Sequence, residues 1–283
     1  MFITYYRLAK PGIIRGNAVT ATAGFFLAAQ SHFNFALFVA MLAGLSLVIA
    51  SGCVFNNYID RGIDKKMART RQRALVSGAI SGRAALLYAS LLGVLGTAIL
   101  GYFTNLLTMF ITLTGFVFYV VIYGYWKRKS VHGTLVGSVS GAVPPVVGYT
   151  AVSGQLDWAA LILFLILVLW QMPHFYAIAL YRSKDYAAAS IPVLPVKKGV
   201  LTTKIQILLY IALFTVAAST LSIFGYASHG YLAVAIVLGV SWLGLGLRGF
   251  RAADTNRWAH TMFFYSLIVI TVLCTAISVD ALV

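Results

Sequence analysis

Residues 56–73 read NNYIDRGIDKKMARTRQR and contain the first acidic side chains of the chain, at the end of a long apolar run. Asp60 and Asp64 lie four residues apart, although the 283-residue chain has only six acidic residues in total. Six cations stand between or after them: Arg61, Lys65, Lys66, Arg69, Arg71 and Arg73. This concentration of charge beside an apolar segment calls for a chemical reason.

The composition of the chain is that of a protein embedded in a membrane. Apolar residues make up 61% of the chain, charged residues 10%, and the mean hydropathy is +0.91. Soluble domains have about a quarter of their residues charged. Apolar runs of roughly 17–25 residues recur, which is the length a helix needs to cross the bilayer, whereas β-barrel strands would be about ten residues of alternating polarity. We therefore predict an all-α integral membrane protein in which residues 1–283 form a single polytopic domain.

The apolar runs predict nine transmembrane helices. Their ranges are 12–30, 35–57, 84–103, 106–125, 132–152, 158–180, 205–225, 229–247 and 259–279. All 21 Lys and Arg residues fall on one side of this arrangement. Because basic residues mark the cytoplasmic side, the pattern predicts a cytoplasmic N-terminus and an external C-terminus. The net charge of +15 then reflects topology and attraction to anionic lipid, so nucleic acid is not expected as a partner.

Two of the predicted spans contain residues that disturb a helix. GAVPPVVGY begins at Gly141, and WQMPHFY begins at Trp170. Backbone groups freed by proline inside a bilayer must be satisfied by protein or by water in a cavity, so we expect both segments to face inward. Gly133, Gly137 and Gly141 recur at a spacing of four, which permits close approach of a neighbouring helix.

The acidic residues belong to a stripe on one helix face. Asn56, Asp60 and Asp64 are each four residues apart, so their side chains line up over about 12 Å. One interpretation is a network of ion pairs with the cations that follow, but exposed pairs contribute only about 0–1 kcal/mol each. The interpretation we favour is a site for Mg²⁺ and a diphosphate, because Mg²⁺ usually binds through one or two carboxylates plus substrate phosphates. Arg69 and Arg73, one turn apart, would then hold phosphate oxygens.

The same stretch resembles the first aspartate-rich motif, NxxxDxxxD followed by RTxxR, of the UbiA-type intramembrane prenyltransferases. Residues 170–196, WQMPHFYAIALYRSKDYAAASIPVLPV, resemble the second signature of the protohaem IX farnesyltransferase branch of that superfamily, and the similarity extends over essentially the whole chain. The resemblance implies nine transmembrane helices around a central cavity in a bacterial cytoplasmic (inner) membrane, with the aspartate motifs at the cytoplasmic mouth. It implies that farnesyl diphosphate alkylates the 2-vinyl group of haem b, with addition of water, to give haem O and diphosphate.

The resemblance also implies site residues and partners. We expect one or two Mg²⁺ ions, haem b as substrate, and haem-processing or oxidase-assembly proteins as partners. The predicted metal ligands are Asn56, Asp60, Asp64 and Asp185. The predicted substrate-binding residues are Lys65, Arg69 and Arg73 for phosphate oxygens, Tyr181 for phosphate, and Lys184 for phosphate or a haem propionate.

The second motif departs from the pattern of the quinone-type relatives. Those relatives have DxxxD, whereas this chain has Tyr181 and Asp185 at that spacing, with Arg182 and Lys184 beside them. One aspartate therefore stands where two are expected, which bears directly on whether a second metal ion is bound.

His174 is a further candidate catalytic residue. It precedes Asp185 by eleven residues, so a continuous helix would align His174, Ile178, Tyr181 and Asp185 in one stripe. A histidine inside a membrane span is a functional hypothesis by default, here as a ligand of haem iron or as the base for the incoming water. The alternative is a structural histidine that bonds Gln171 or the backbone near Pro173.

Other classes of membrane protein fit the sequence less well. A secondary transporter would place ionisable residues near the bilayer midplane on broken helices of a repeat, whereas these aspartates lie at a span end. A non-catalytic haem carrier would have no use for the acidic stripe. A UbiA-type enzyme acting on a quinone precursor remains the alternative within the enzyme class, and the single aspartate of the second motif argues against it.

Overall fold

The computed structural model describes residues 2–282, and all regular structure in that range is helical, as predicted. The helices are α1 (Phe2–Leu8), α2 (Pro11–Ala29), α3 (Phe35–Asp64), α4 (Gly82–Phe103), α5 (Leu106–Val117), a π-helical segment (Phe118–Tyr123), α6 (Gly124–Trp126), α7 (Gly133–Gly141), α8 (Val143–Ser153), α9 (Trp158–Tyr181), α10 (Ser183–Ala188), α11 (Leu194–Ile223), α12 (His229–Arg248), a 3₁₀ turn (Gly249–Arg251) and α13 (Thr255–Asp280).

Eight helical stretches in residues 2–282 are long and apolar enough to cross a membrane. They are Phe35–Asp64, Gly82–Phe103, Leu106–Trp126, Gly133–Ser153, Trp158–Tyr181, Leu194–Ile223, His229–Arg251 and Thr255–Asp280. The remaining predicted span, 12–30, corresponds to α2, a 19-residue helix that is not among the eight. Its sequence carries Arg15 and Asn17 and many small residues in place of long apolar side chains, which lowers its hydropathy.

Two helices extend beyond the predicted spans into the charged segments. The predicted second span ends at residue 57, but α3 continues to Asp64 and so keeps the acidic stripe helical. The predicted seventh span begins at residue 205, whereas α11 begins at Leu194 and is kinked at Gly199, where φ is 84°. Glycine suits that left-handed backbone because it has no Cβ.

Small residues form the contact between α2 and α8, whereas large apolar side chains fill the core among α9, α11, α12 and α13. Glycines bring the backbones of α2 and α8 together: an added Cβ at Gly24 would lie 1.9 Å from the carbonyl oxygen of Pro145. A Cβ at Gly148 would meet the carbonyl oxygen of Ala21 at the same 1.9 Å. The main apolar core lies among α9, α11, α12 and α13, where Phe214 and Trp242 are fully buried.

The contact between α2 and α8 predicts that alanine substitutions at two glycines of α2 differ sharply in their effect on stability. Gly24→Ala should destabilise the protein by about 1–3 kcal/mol, because the new methyl group must displace a backbone carbonyl. The measurement is thermal unfolding in detergent. Gly16→Ala in the same helix is the matched control, since an added Cβ there has nothing within 4 Å. Equal melting temperatures for the two variants would contradict the close approach.

Candidate functional site

The acidic stripe lies at the C-terminal end of α3, where its charge is electrostatically unfavourable. Asp60 and Asp64 occupy the last two turns of the helix, and the free carbonyl groups there already carry partial negative charge. Two carboxylates at that end require cations nearby. The chain supplies them from segments far apart in sequence.

Asp60 is paired with the segment that follows α6. Lys127 Nζ donates to Asp60 Oδ2 over 2.5 Å, and Arg128 donates to Asp60 Oδ1 over 3.0 Å. The Asp60 side chain is 14% exposed and that of Lys127 is 11% exposed, so water screens this pair little. Burial lowers the pKa of Lys127, and the charge of Asp60 opposes that effect.

Asn56 joins the same group, as the stripe predicts. In the amide orientation that satisfies both neighbours, its Nδ2 donates to Asp60 Oδ2 over 3.0 Å and its Oδ1 accepts from Lys127 Nζ over 2.9 Å. Asn56 is buried, with 4% of its surface exposed. Asn56 and Asp60 therefore share one inward face of α3.

Asp64 is paired with the loop that follows α3. Arg73 donates to Asp64 Oδ2 over 2.7 Å and to Asn57 Oδ1 over 3.2 Å, and the Asp64 side chain is only 3% exposed. The hydroxyl of Thr70 donates to the carbonyl oxygen of Asp64 over 2.9 Å. These bonds fold residues 65–73 back over the end of the helix. Asn57 in turn donates to the carbonyl oxygen of Leu8 over 2.9 Å, which ties the end of α1 to the site.

Lys10 brings another positive charge to the site from the start of the chain. It stands between α1 and α2, just before Pro11, with a left-handed backbone (φ 55°). Burial lowers its pKa to about 8, and it is close enough to Asp60, Arg73 and Lys127 for their charges to act on it. The sequence pattern did not predict Lys10, Lys127 or Arg128 as site residues. Their only signal was their position at the basic ends of helices.

The predicted phosphate-binding cations occupy two different environments. Arg73 is engaged by Asp64, while Lys65 and Arg69 are exposed. Burial raises the pKa of Tyr186, which follows the second motif, and the charge of Arg69 opposes that effect. The charge of Arg69 therefore acts on a residue next to the second motif.

The second motif is divided between two helices. Tyr181 is the last residue of α9, the backbone departs from helical geometry at Arg182, and Asp185 lies in α10. The predicted single stripe from His174 to Asp185 is therefore wrong beyond Tyr181, because the helix ends there. Asp185 lies 3.9 Å from Arg182, and Lys184 is exposed.

His174 is held at the contact between α9 and α13. Its Nδ1 lies 2.7 Å from Ser266 Oγ, and its ring stacks on Trp170 with centroids 4.9 Å apart. Gln171, the partner considered from sequence, instead donates to the carbonyl oxygens of Ser138 and Leu167. His174 is buried, and within residues 2–282 its Nε2 forms no hydrogen bond. The ring is thus fixed through Nδ1, whereas Nε2 has no hydrogen-bond partner.

The three glycines at a spacing of four lie on α7 and let neighbouring segments approach this helix closely, as predicted. An added Cβ at Gly133 would lie 2.7 Å from Cα of Lys127, and one at Gly137 would lie 2.9 Å from Cδ2 of Tyr123. A Cβ at Gly141 would clash with Gln171 at 2.0 Å. Helix α7 therefore packs closely against the π-helical segment, which ends at Tyr123, and against Lys127, which follows α6.

The donor atoms fit a magnesium ion that also binds a phosphate-containing substrate. Among residues 2–282, no three His, Cys, Asp or Glu side chains converge, so the protein alone does not form a cage for a metal. The face of α3 nevertheless offers two carboxylates and a carboxamide, all hard oxygen donors. Mg²⁺ typically takes one or two carboxylates and fills its remaining positions with water and substrate phosphate.

Comparisons with known proteins agree with this architecture. The UbiA prenyltransferase family matches residues 17–268. A protoheme IX farnesyltransferase of Klebsiella pneumoniae is 53% identical over 284 residues, covering 100% of this chain and 96% of its own.

Two solved structures share the fold at low sequence identity. One, from work on digeranylgeranylglyceryl phosphate synthase, is 18% identical with a TM-score of 0.81, covering 99% of this chain and 98% of its own. A UbiA homologue from Archaeoglobus fulgidus bound to GPP and Mg²⁺ is 15% identical with a TM-score of 0.68, covering 98% of this chain and 99% of its own.

The pairing of Asp64 predicts a stability effect that separates two arginines of one loop. Arg73→Ala should destabilise the protein by up to about 3 kcal/mol, because it leaves a buried carboxylate without its cation. Arg71→Ala, at an exposed position of the same loop, should have little effect. Thermal unfolding in detergent checks both variants. Adding Asp64→Asn to Arg73→Ala should restore part of the loss, and no restoration would contradict the pair.

Proposed function

The chain belongs to the UbiA prenyltransferase family, and we propose from that premise that it transfers a farnesyl group from farnesyl diphosphate to the 2-vinyl group of haem b. Addition of water then gives haem O. The prediction of an intramembrane prenyltransferase is confirmed by the family match and by full-length similarity to a protoheme IX farnesyltransferase. The structural observation that carries the chemistry is the buried acidic face of α3, which is paired with Arg73 of the following loop and with Lys127 and Arg128 after α6.

The proposed role of that face is to hold the leaving diphosphate through Mg²⁺. Asn56, Asp60 and Asp64 would hold one ion, and Asp185 in α10 would contribute from the second motif. The bound metal supplies charge neutralisation to the departing diphosphate. The solved UbiA homologue bound to GPP and Mg²⁺ supports this cofactor, whereas the number of ions stays a prediction.

Cations that now balance the aspartates would also contact the diphosphate. Lys127 and Arg128 lie within 3.0 Å of Asp60, so any phosphate group placed beside that carboxylate meets both of them. Lys65, Arg69 and Arg73 would contact the remaining phosphate oxygens. Tyr181 would donate to phosphate, and Lys184 would reach a phosphate or a haem propionate.

The reaction separates charge, and the cations act where negative charge develops. The allylic C–O bond breaks, and its electron pair leaves with the diphosphate oxygen. The π electrons of the haem vinyl group form the new C–C bond to farnesyl C1, and water adds to the resulting cation and releases a proton. Groups fixed around the diphosphate stabilise this charge separation without having to reorganise.

His174 is proposed to act on the acceptor side. Ser266 fixes the ring through Nδ1, which leaves Nε2 free to take the proton of the incoming water or to ligate haem iron. The exposed apolar surface supports a multi-pass membrane protein. The bacterial cytoplasmic membrane, a cytoplasmic N-terminus, a single domain over 1–283 and partners in haem processing or oxidase assembly are proposed from the sequence pattern and the family.

Mass spectrometry of the haem product tests the proposed function. Purified protein incubated with haem b, farnesyl diphosphate and Mg²⁺ should convert haem b to a product heavier by one farnesyl group and one hydroxyl group. Unchanged haem, under conditions in which the Klebsiella pneumoniae relative is active, would contradict the proposal. Conversion of a quinone precursor in place of haem would instead favour the alternative acceptor.

Removing one carboxylate should abolish turnover without removing the fold. Asp64→Ala and Asp64→Asn should each lower the rate of diphosphate release by at least about 100-fold, because the leaving group loses its stabilisation. Asp254→Asn, an exposed helix cap elsewhere in the chain, is the control and should retain full activity. Retained turnover in the folded Asp64→Asn variant would remove Asp64 from the site.

His174→Ala should separate the two halves of the reaction. We expect farnesyl diphosphate to bind with unchanged affinity while formation of the haem product falls, since His174 is proposed to act only on the acceptor side. Equilibrium binding of farnesyl diphosphate and the yield of haem product measure the two effects. Ser266→Ala, which removes the bond to Nδ1, should give a smaller loss of the same kind. Equal loss of binding and turnover would indicate a structural role for His174.

A further inference from the structure

We propose that the ring faces of Tyr119 and Tyr123 stabilise the positive charge that develops on the allylic carbons of farnesyl diphosphate. The inference rests on the proposed function and extends it to two residues that the acidic motif does not include. Both lie on the π-helical segment, on the side that faces α3 and α7.

The alignment of the π-helical segment with α3 places these rings next to the acidic group, on its N-terminal side along α3. Lys127 contacts Asp60 at the end of α3, and the ring of Tyr119 lies 3.1 Å from the Cβ position of Gly52. The two contacts are eight residues apart on both segments, so the segments run parallel in a constant register. Eight residues correspond to about 12 Å along a helix. Tyr123 lies between these two levels, one turn below Lys127.

The face of Tyr123 already has a cation next to it. Lys127 Nζ lies 5.0 Å from the centroid of the Tyr123 ring, within the range of a cation–π interaction. The same ammonium group bonds Asp60 over 2.5 Å. The Tyr123 ring is therefore next to the proposed diphosphate position. An allylic carbon attached to that diphosphate would lie beside this ring.

Tyr119 continues the same surface towards the membrane interior. Its ring is nearly parallel to that of Tyr123, with an interplanar angle of 13° and centroids 6.0 Å apart. The lipid-facing side of this helix is marked by Val117 and Val121, which are 47% and 60% exposed. Both tyrosines lie on the other side, against Gly52 and Gly137. Neither glycine carries a side chain that would hold the ring away from its helix.

The chemistry of the step requires a group of this kind. When the C1–O bond breaks and its electron pair leaves with diphosphate, positive charge is shared between C1 and C3 of the farnesyl chain. That charge persists until the vinyl π electrons form the bond to C1. Carboxylates near this position are committed to the diphosphate end, and a closer anion would capture the cation. An aromatic face attracts positive charge without offering a lone pair that forms a stable bond.

Fluorinated aromatic residues test the proposal without changing the shape of the site. Phenylalanine and its mono-, di- and trifluoro derivatives, incorporated at position 119 or 123, weaken the negative potential of the ring face stepwise. The single-turnover rate of diphosphate release should fall progressively, by tenfold or more across the series, while the affinity for farnesyl diphosphate stays constant. Tyr125 is the matched control: its exposed ring contacts Lys129 at 4.1 Å, and the same series there should leave the rate unchanged.

The outcomes separate this inference from the function on which it rests. A rate that does not change with fluorination at both positions, in protein that converts haem b normally, would overturn the role of the rings alone. Loss of activity already with unfluorinated Phe would assign the effect to the hydroxyl groups and would also overturn it. A wild-type protein that releases no diphosphate in the presence of haem b would instead refute the proposed function.

Discussion

The pairing of carboxylates with distant cations at the end of α3 is the constraint on which the site depends. Asp60 and Asp64 are largely buried and stand at the negative end of a helix, so each requires a cation beside it. Their partners come from different segments: Arg73 from the following loop, and Lys127 and Arg128 from the segment after α6. The ion pairs therefore link the end of α3 both to the loop that follows it and to the segment that follows α6.

Close backbone approach supplies the rest of the geometry. Glycines of α2 and α8 let those two backbones approach closely. Glycines of α7 likewise let Tyr123 and Lys127 pack against that helix. In a bilayer, packing of this kind replaces much of the hydrophobic driving force that operates in water, because lipid is as apolar as the side chains. The positions of the Lys127 ammonium and the Tyr123 ring thus depend on residues that have no side chain of their own.

His174 illustrates how one residue serves structure and chemistry at once. Its stacking on Trp170 and its bond to Ser266 join α9 to α13, and Trp170 donates to the carbonyl oxygen of the same serine over 2.8 Å. Both interpretations offered by the sequence therefore have a physical basis, with the structural partner being Ser266 and not Gln171. A ring fixed through Nδ1 presents Nε2 in a constant direction, which is what either proposed role on the acceptor side requires.

The sequence by itself determined the helical class, the bounds of most of the helices, and the stripe formed by Asn56, Asp60 and Asp64, because hydropathy and a spacing of four are local properties of a helix. It also determined the family, through motifs that lie within continuous segments. It placed the end of the α9 span at residue 180 but did not show that the helix breaks at Arg182, before Asp185, since no proline or glycine marks the break. Only the tertiary structure decided which cations meet which acids. Lys10, Lys127 and Arg128 are separated from Asp60 by 50 or more residues, and no local pattern records an ion pair between helices that are brought together by packing.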